Sequence, residues 1–468
     1  MAELTAGHKA FARELYPSYT VVHLSPADFK TAKLENIRPS SGGKGIFCLA
    51  ENARTGTLES AAFSAPFIFD TLLLSVNAAL PEGSSVSAGV SVGRLKNGQL
   101  NWSKWLDMGT IAPDGKNASH SCRAENAEVR EDTLFVKNGA AAFRYRITLS
   151  RGVRQSPELS LVAVNYFDSK APYSASAAVA RGPFGGRKPY EVAPRCQMIQ
   201  KSPDAKRICS PTALSMLLDF AGANIDTLDV AHGVYDETEK IYGNWAFNAA
   251  FAGSLGFDAY LSRVASFAEA EFLLAQGFPF AASITYGEGE LFGAPRGHTA
   301  GHLVVLLGFD ADGSVVVNDP AADGEDGVRR IYRRAEFAKA WLENKRGLAY
   351  IVRPRLPKLM VVSSASGKLS YGDVLKISSV ENVMARAGEV NIPSDNLSFY
   401  DGIGERLMLK KDFETTPLYC GKNVALPHGA IVTAAKRGAE KTLVMLAGGQ
   451  TAELPSEILE KYSVNGDI

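Results

Sequence analysis

The chain has 468 residues, 46% of them hydrophobic and 21% charged, the composition of a folded globular protein rather than a disordered one. Fifty Lys and Arg balance fifty Asp and Glu. That balance argues against a sequence-independent nucleic-acid binder and against electrostatic attachment to anionic lipid, since both draw affinity from excess positive charge. At about 150 residues per domain, the length implies two to four domains. No apolar run approaches the ~20 residues of a membrane span. The N-terminal MAELTAGHKAFARELY lacks the continuous apolar stretch of a secretory signal, which favours the cytoplasm over export. The five cysteines, Cys48, Cys122, Cys196, Cys209 and Cys420, are odd in number and far apart. They match no zinc-ligand spacing, so neither a metal site nor a disulfide framework is expected, and a reduced compartment is the simpler reading.

Residues 1 to about 188 read as β-rich. Apolar stretches at 61–69, 71–76, 86–92, 133–136, 142–149 and 159–164 are separated by turn signals at Pro81-Glu82-Gly83, Asn97-Gly98, Asp114-Gly115 and Asn138-Gly139. Turns at such short intervals predict an all-β sandwich. The segment 181–189, rich in Gly, Pro and Arg, predicts a linker or an extended crossing between domains. Helical periodicity follows at 211–221, 247–254 and 266–275. Strands are predicted at 280–285, 302–309 and 314–318, a helix at 337–344 and a strand at 349–352. Helices followed by an antiparallel-looking sheet predict an α+β domain. From about 355 onward short strands (358–362, 431–435, 442–446) alternate with Gly, Asn and Asp turns. A closing helix is predicted at 455–462.

The chemistry concentrates around Ile208-Cys209-Ser210-Pro211-Thr212. Pro is favoured at the first position of a helix and Ser at the cap before it, which puts Cys209 at a helix N-terminus. The unpaired N–H groups and the positive dipole end there favour a thiolate, the nucleophilic form of cysteine. A base must come from elsewhere. Of the seven histidines, His302 opens the apolar strand Leu303-Val304-Val305-Leu306-Leu307, and a strand end on a rigid sheet holds an imidazole well. A hairpin turning at Asp312-Gly313 would return the chain so that Asp319 lies near His302, where a carboxylate can set the imidazole's tautomer and orientation.

The segments Cys209-Ser210-Pro211-Thr212, Gly301-His302-Leu303-Val304-Val305, Gly308-Phe309-Asp310 and Val317-Asn318-Asp319-Pro320 resemble the C39-like cysteine peptidases, a branch of the papain-like superfamily. The resemblance covers roughly residues 190 to 353. It includes Gly243-Asn244-Trp245-Ala246-Phe247-Asn248 and Gly277-Phe278-Pro279-Phe280. It implies Cys209 as nucleophile, His302 as base and Asp319 as its orienting group. It also implies an upstream glutamine whose side-chain amide helps hold the oxyanion; Gln197 fits that place best and Gln200 is the fallback. The interval from Gln197 to Cys209 is longer than usual in the family, and Ser210 stands where many members carry Gly. No cofactor and no metal are implied.

Other residues carry weaker signals. His298 is the alternative base, on a Gly-rich loop, and Cys196 is the local alternative thiol, without a helix start. Cys48, Cys122 and Cys420 read as structural. Trp245 and Asn248 suit either a substrate cleft or the core, and 286–293 either a flap over the cleft or a plain connection. Trp102 and Trp105 raise sugar binding by the sandwich, against the commoner role of aromatics in a core. The sequons at Asn101, Asn117 and Asn396 are short enough to arise by chance.

The expectation is therefore a multidomain protein: a β-sandwich (1–188), a central papain-like α+β domain of C39 peptidase type (189–354) and a small β-rich C-terminal domain (355–468). Its predicted activity is hydrolysis of a peptide or amide bond in a peptide or protein substrate through Cys209, His302, Asp319 and Gln197. The sandwich offers a possible carbohydrate or cell-wall contact. The alternatives are a papain-like amidase, deamidase or transpeptidase acting on peptidoglycan or protein side chains, and a catalytically inactive binding module.

Overall fold

The computed structural model describes residues 17–462 apart from 42, 43, 153, 154, 382, 401, 420 and 421. The N-terminal stretch read for a signal and Cys420 lie outside the described residues. Thirteen strands between Ser18 and Phe167 join in one antiparallel, sandwich-like network. Two strands tie it together, Phe63–Ala79 and Thr133–Ser150. The second pairs along its length with Ala127–Arg130, Phe63–Ala79, Ser85–Lys96 and Thr55–Glu59. Asn138-Gly139, predicted as a turn, does not reverse the chain. Both residues take left-handed backbone angles, φ 63° and 74°, and the register against Phe63–Ala79 slips between Phe135 and Ala140. This is a β-bulge, which absorbs extra residues while pairing resumes on the same partner strand. A side chain at 139 would collide with Ile68, its Cβ lying 2.3 Å from a methyl carbon. Asn97-Gly98 does form the predicted hairpin, joining Lys96 to Gln99. The sandwich core is aromatic: Phe69, Phe143, Tyr145 and Tyr166 are all buried. Each contributes about 1.5–3 kcal/mol of apolar burial.

The central region carries a six-stranded antiparallel sheet in the order Phe257–Arg263, Leu348–Pro354, Phe280–Tyr286, Thr299–Phe309, Val315–Asn318, Arg329–Tyr332. Helices cover both faces. Cys209–Phe220, Thr227–Val234 and Trp245–Ser254 share a core with Leu303, Val305, Leu307 and Val316. Phe267–Ala275, with Phe337 and Trp341, shares another with Val304, Leu306, Val315 and Val317. The alternation follows from the pleat, which sends successive side chains to opposite faces. Because both faces are covered, the strand reads as an unbroken apolar run. The predicted helix at 337–344 is a helical turn from Arg334–Ala338 continued by a π-helical segment over Lys339–Glu343.

Segment 181–189 has no regular structure and runs along the helix Phe267–Ala275, with Phe184 packed edge-on against Phe272. Gly182 N–H donates to Glu271, and the crossing ends where Tyr190 N–H pairs with Leu307 C=O. The sandwich docks on the opposite edge. Asn77 bonds both backbone groups of Ala259 (2.8 and 2.9 Å), and Ser75 accepts from Leu261 N–H. These side chains satisfy the edge strand Phe257–Arg263, which would otherwise present free backbone groups. Beyond residue 357 short strands form separate two- to five-stranded sheets. The predicted helix at 455–462 is instead a single 3-10 turn, Ser456–Ile458, then the strand Leu459–Lys461 pairing with Glu405–Leu409. Burial of Ile458 and Leu459 in the local core decides the conformation over helical propensity. No helix of the described residues is long and apolar enough to cross a membrane.

Candidate active site

The cysteine helix begins at Cys209 itself, two residues earlier than the Ser-Pro signal implies. Ser210 is not its cap. The Ser210 hydroxyl is buried, donates to Asn248 Oδ1 (2.9 Å) and meets the Tyr350 hydroxyl at 2.8 Å. Ser210 thus ties the first turn of the cysteine helix to the helix Trp245–Ser254 and to the strand Leu348–Pro354, a role that a glycine at this position could not fill. Asn248 is fully buried, its amide bonded to the Tyr242 and Asn244 carbonyls, so it belongs to the support and not to a cleft wall. Trp245 is half-buried, its ring 5.9 Å from the Lys345 ammonium. The described residues hold no group of three or more His, Cys, Asp and Glu side chains disposed to bind a metal ion.

The hairpin forms with Asp310 N–H bonded to Ser314 C=O, and Val305 faces Asn318 across it. Asp319, just past the strand end, accepts from His302 Nε2 at 2.7 Å. Its other oxygen accepts from the Tyr332 hydroxyl at 2.7 Å, and Ala321 N–H adds a third bond at 3.0 Å. With Nε2 held by the carboxylate, Nδ1 is the nitrogen left for the Cys209 sulfur, and the two side chains are hydrogen-bonded. His302 and Asp319 are buried while Cys209 is partly exposed.

The electrostatics follow from this arrangement. Burial alone would push the Cys209 thiol up. The hydrogen bond and charge of His302, the Leu303 amide and the Arg296 guanidinium outweigh it and bring the thiol below its ordinary value. Burial alone would lower His302, but Asp319 and then Cys209 hold its pKa up at about 10. Asp319 is likewise lowered against its burial, by His302, Tyr332 and Ala321. A lowered thiol beside a raised imidazole favours the thiolate–imidazolium pair at neutral pH. Cys48 and Cys122 go the other way, pushed up chiefly by burial. Cys196 is buried, with its sulfur 2.9 Å from the Ala322 carbonyl. His298 lies exposed, 3.7 Å from Glu288.

Gln197 is fully buried. Its backbone N–H donates to Pro320 C=O (2.8 Å), and its amide nitrogen donates one proton to Ala205 C=O (2.8 Å). The second amide proton is left over and the amide oxygen is unpartnered among the described residues. Gln200 turns back on the Cys196 carbonyl. The loop 287–298 is anchored by Lys339 on Glu290, Glu336 on Phe292 N–H and Arg330 on Gly293 C=O, and it carries Arg296 toward Cys209.

Sequence reasoning missed Tyr332, which no motif marks, and Asp132 of the sandwich. Asp132 accepts from Trp245 N–H at 2.6 Å and from the Thr133 hydroxyl at 2.9 Å. Burial lifts its pKa to about 6. Trp102 and Trp105, raised as sugar platforms, lie under Arg144 (4.8 and 4.9 Å), and Arg146 covers Trp105 at 4.1 Å. The Asn117 amide is buried and donates to the Gly233 and Tyr235 carbonyls, which leaves no room for a glycan on that sequon.

Residues 190–348 match the model of the peptidase C39-like family, and residues 23–166 match that of the peptidase C39 N-terminal domain. No curated protein matches the chain. One solved structure, titled "Structural basis for the promiscuous specificity of the carbohydrate-binding modules from the beta-sandwich super family", aligns at 13% identity with a TM-score of 0.14. That alignment covers 33% of this chain and 57% of the other, a little over half of its length.

Proposed function

With a peptidase C39-like domain spanning residues 190–348 of this chain, we propose that the protein is a cysteine peptidase that cleaves a peptide or amide bond through Cys209, His302 and Asp319. The observation that carries the reading is the His302 Nε2–Asp319 bond of 2.7 Å with the Cys209 sulfur on the other side of the ring. His302 takes the thiol proton, and the thiolate attacks the amide carbonyl. The tetrahedral oxyanion is met by the Cys209 N–H and the spare Gln197 amide proton; a donor of this kind is worth about 3–4 kcal/mol of barrier. The imidazolium then gives its proton to the leaving amine, and a thioester remains on Cys209. Water, deprotonated by His302, hydrolyses the thioester and returns the thiol. Asp319 holds the ring in the required tautomer throughout and stabilises its charged form.

In this reading the central domain is papain-like and runs from 189 to 354, flanked by the sandwich (1–188) and the C-terminal sheets (355–468). The family resemblance and the antiparallel sheet with helices on both faces support it. The test is incubation of the full chain with a peptide library, followed by mass spectrometry of products and of the protein. The expected result is new termini, with an acyl adduct on Cys209 after an acid quench. Intact peptides, with deamidated or cross-linked side chains instead, would move the assignment to another papain-like acyl chemistry.

A further inference from the structure

Next to the dyad lies a group of hydrogen-bond donors that the mechanism does not use. The Tyr286 hydroxyl is buried, the residue being 3% exposed, and has no hydrogen-bond partner among the described residues. It lies within electrostatic reach of Asp319, Arg296 and Arg330. Burial, chiefly, lifts its pKa to about 12, so at neutral pH it is a donor. Arg296, half-buried, acts on the Cys209 sulfur. Among the described residues its hydrogen bonds are weak, a soft sulfur acceptor on Met198 at 3.8 Å and a long contact to the Lys206 carbonyl at 3.5 Å. Arg330 donates to Gly293 C=O at 2.6 Å, and its buried Nε has no partner among the described residues. Asp319 does not complete the set, since His302, Tyr332 and Ala321 already occupy its oxygens. A guanidinium has five donors and a fork that matches a carboxylate, and a desolvated donor left unpaired is costly. Two independent features therefore point to one occupant: an orphaned buried hydroxyl calls for an acceptor, an underused cation calls for an anion, and a carboxylate is both.

We propose that Arg296 and Tyr286 form a carboxylate-binding subsite beside Cys209, and that the preferred substrates carry an acidic group next to the scissile amide. The proposal rests on the cysteine peptidase reading and names its substrate class. Two sources supply the same chemistry, an Asp or Glu side chain and the free C-terminus of a short peptide. Arg296, on a loop anchored at Glu290, Phe292 and Gly293, brings the positive charge; Tyr286, on the sheet, gives a fixed direction. Arg330 adds positive potential behind them.

The experiment uses the full chain and a cleaved reference peptide made as two pairs: Glu against Gln beside the scissile bond, and free-acid against amidated C-terminus. The expected result is a kcat/KM about 10- to 100-fold higher for the acidic member of one pair, the range for a hydrogen bond to a charged group. Whichever pair shows the preference identifies the source. R296Q and Y286F should each pull that ratio toward one, and R296Q the further. Neutral-salt titration should weaken the preference in the wild type and leave the R296Q ratio flat. Equal cleavage of both members of both pairs overturns the subsite and leaves the peptidase reading standing. No cleavage of any peptide, together with Cys209 alkylating like an ordinary thiol, overturns the peptidase reading and the subsite with it.

Discussion

At the scale of single residues, the account rests on which atom of His302 faces which partner. Cys209→Ala and His302→Ala should each abolish turnover in a peptide-cleavage assay while the thermal transition stays cooperative, because both side chains act on the reacting atoms. Full activity in Cys209→Ala would remove the mechanism. Asp319→Ala should leave partial activity, down roughly 10²-fold, the lower end of what a positioned general base contributes. Tyr332→Phe tests the support behind it. The Tyr332 hydroxyl lowers the Asp319 carboxyl, so its loss should raise that pKa, weaken the hold on the imidazolium and reduce kcat by about tenfold. The acid limb of the pH profile should move to higher pH in this variant, and an unshifted limb would show that Tyr332 merely fills space.

At the scale of elements, the sandwich and the helix Trp245–Ser254 share a joint at Asp132. In the folded protein its carboxyl has a pKa of about 6, against ~3.9 in an unfolded chain. The native state therefore binds the proton more tightly, and this group makes stability fall as pH rises from about 4 to 6. Asp132→Asn keeps an acceptor for Trp245 N–H without the charge. Denaturant titrations at pH 4.5 and pH 7.5 should show the Asn variant gaining on wild type at the higher pH, and parallel values at both would refute the assignment. Asp132→Ala should cost about 1–2 kcal/mol at pH 4.5, as loss of a helix-end acceptor does, and less at pH 7.5, where it also removes a buried charge.

Much of this level was legible beforehand. Pro211 marked the start of the cysteine helix, and Asp312-Gly313 marked the hairpin whose return brings Asp319 to His302. Asn138-Gly139 misled because the same dipeptide serves a turn and a bulge, and the choice depends on the partner strand. The tail around Leu459 misled because pairing to a strand some fifty residues earlier in the chain leaves no local signature. Tyr332, Tyr286, Arg296 and Asp132 were not legible, since each takes its place only once separate segments fold together and none sits in a recognisable spacing.

At the scale of the whole molecule, the sandwich is part of the framework that supports the candidate site. Asn77 completes the edge strand at Ala259, Asn117 binds the end of the helix Thr227–Val234, and Asp132 meets Trp245. A side chain at Gly253 would strike Asn77, its Cβ 2.4 Å from that residue's Cβ, so the contact is close enough to transmit strain. Asn77→Ala should therefore lower stability by about 2–4 kcal/mol, two backbone groups losing their partners, and sandwich and central region should still unfold in one calorimetric transition. Two separated transitions in the wild type would contradict this coupling. All of these joints serve to hold one sulfur beside one imidazolium, and the rate of Cys209 alkylation by iodoacetamide against pH reads that pair most directly. The prediction is a rate at pH 6 within a few-fold of that at pH 9, turning into a steep climb in His302→Ala. A wild-type rate that instead rises about tenfold per pH unit from 6 to 8, as for a free thiol of pKa ~8.5, would contradict it.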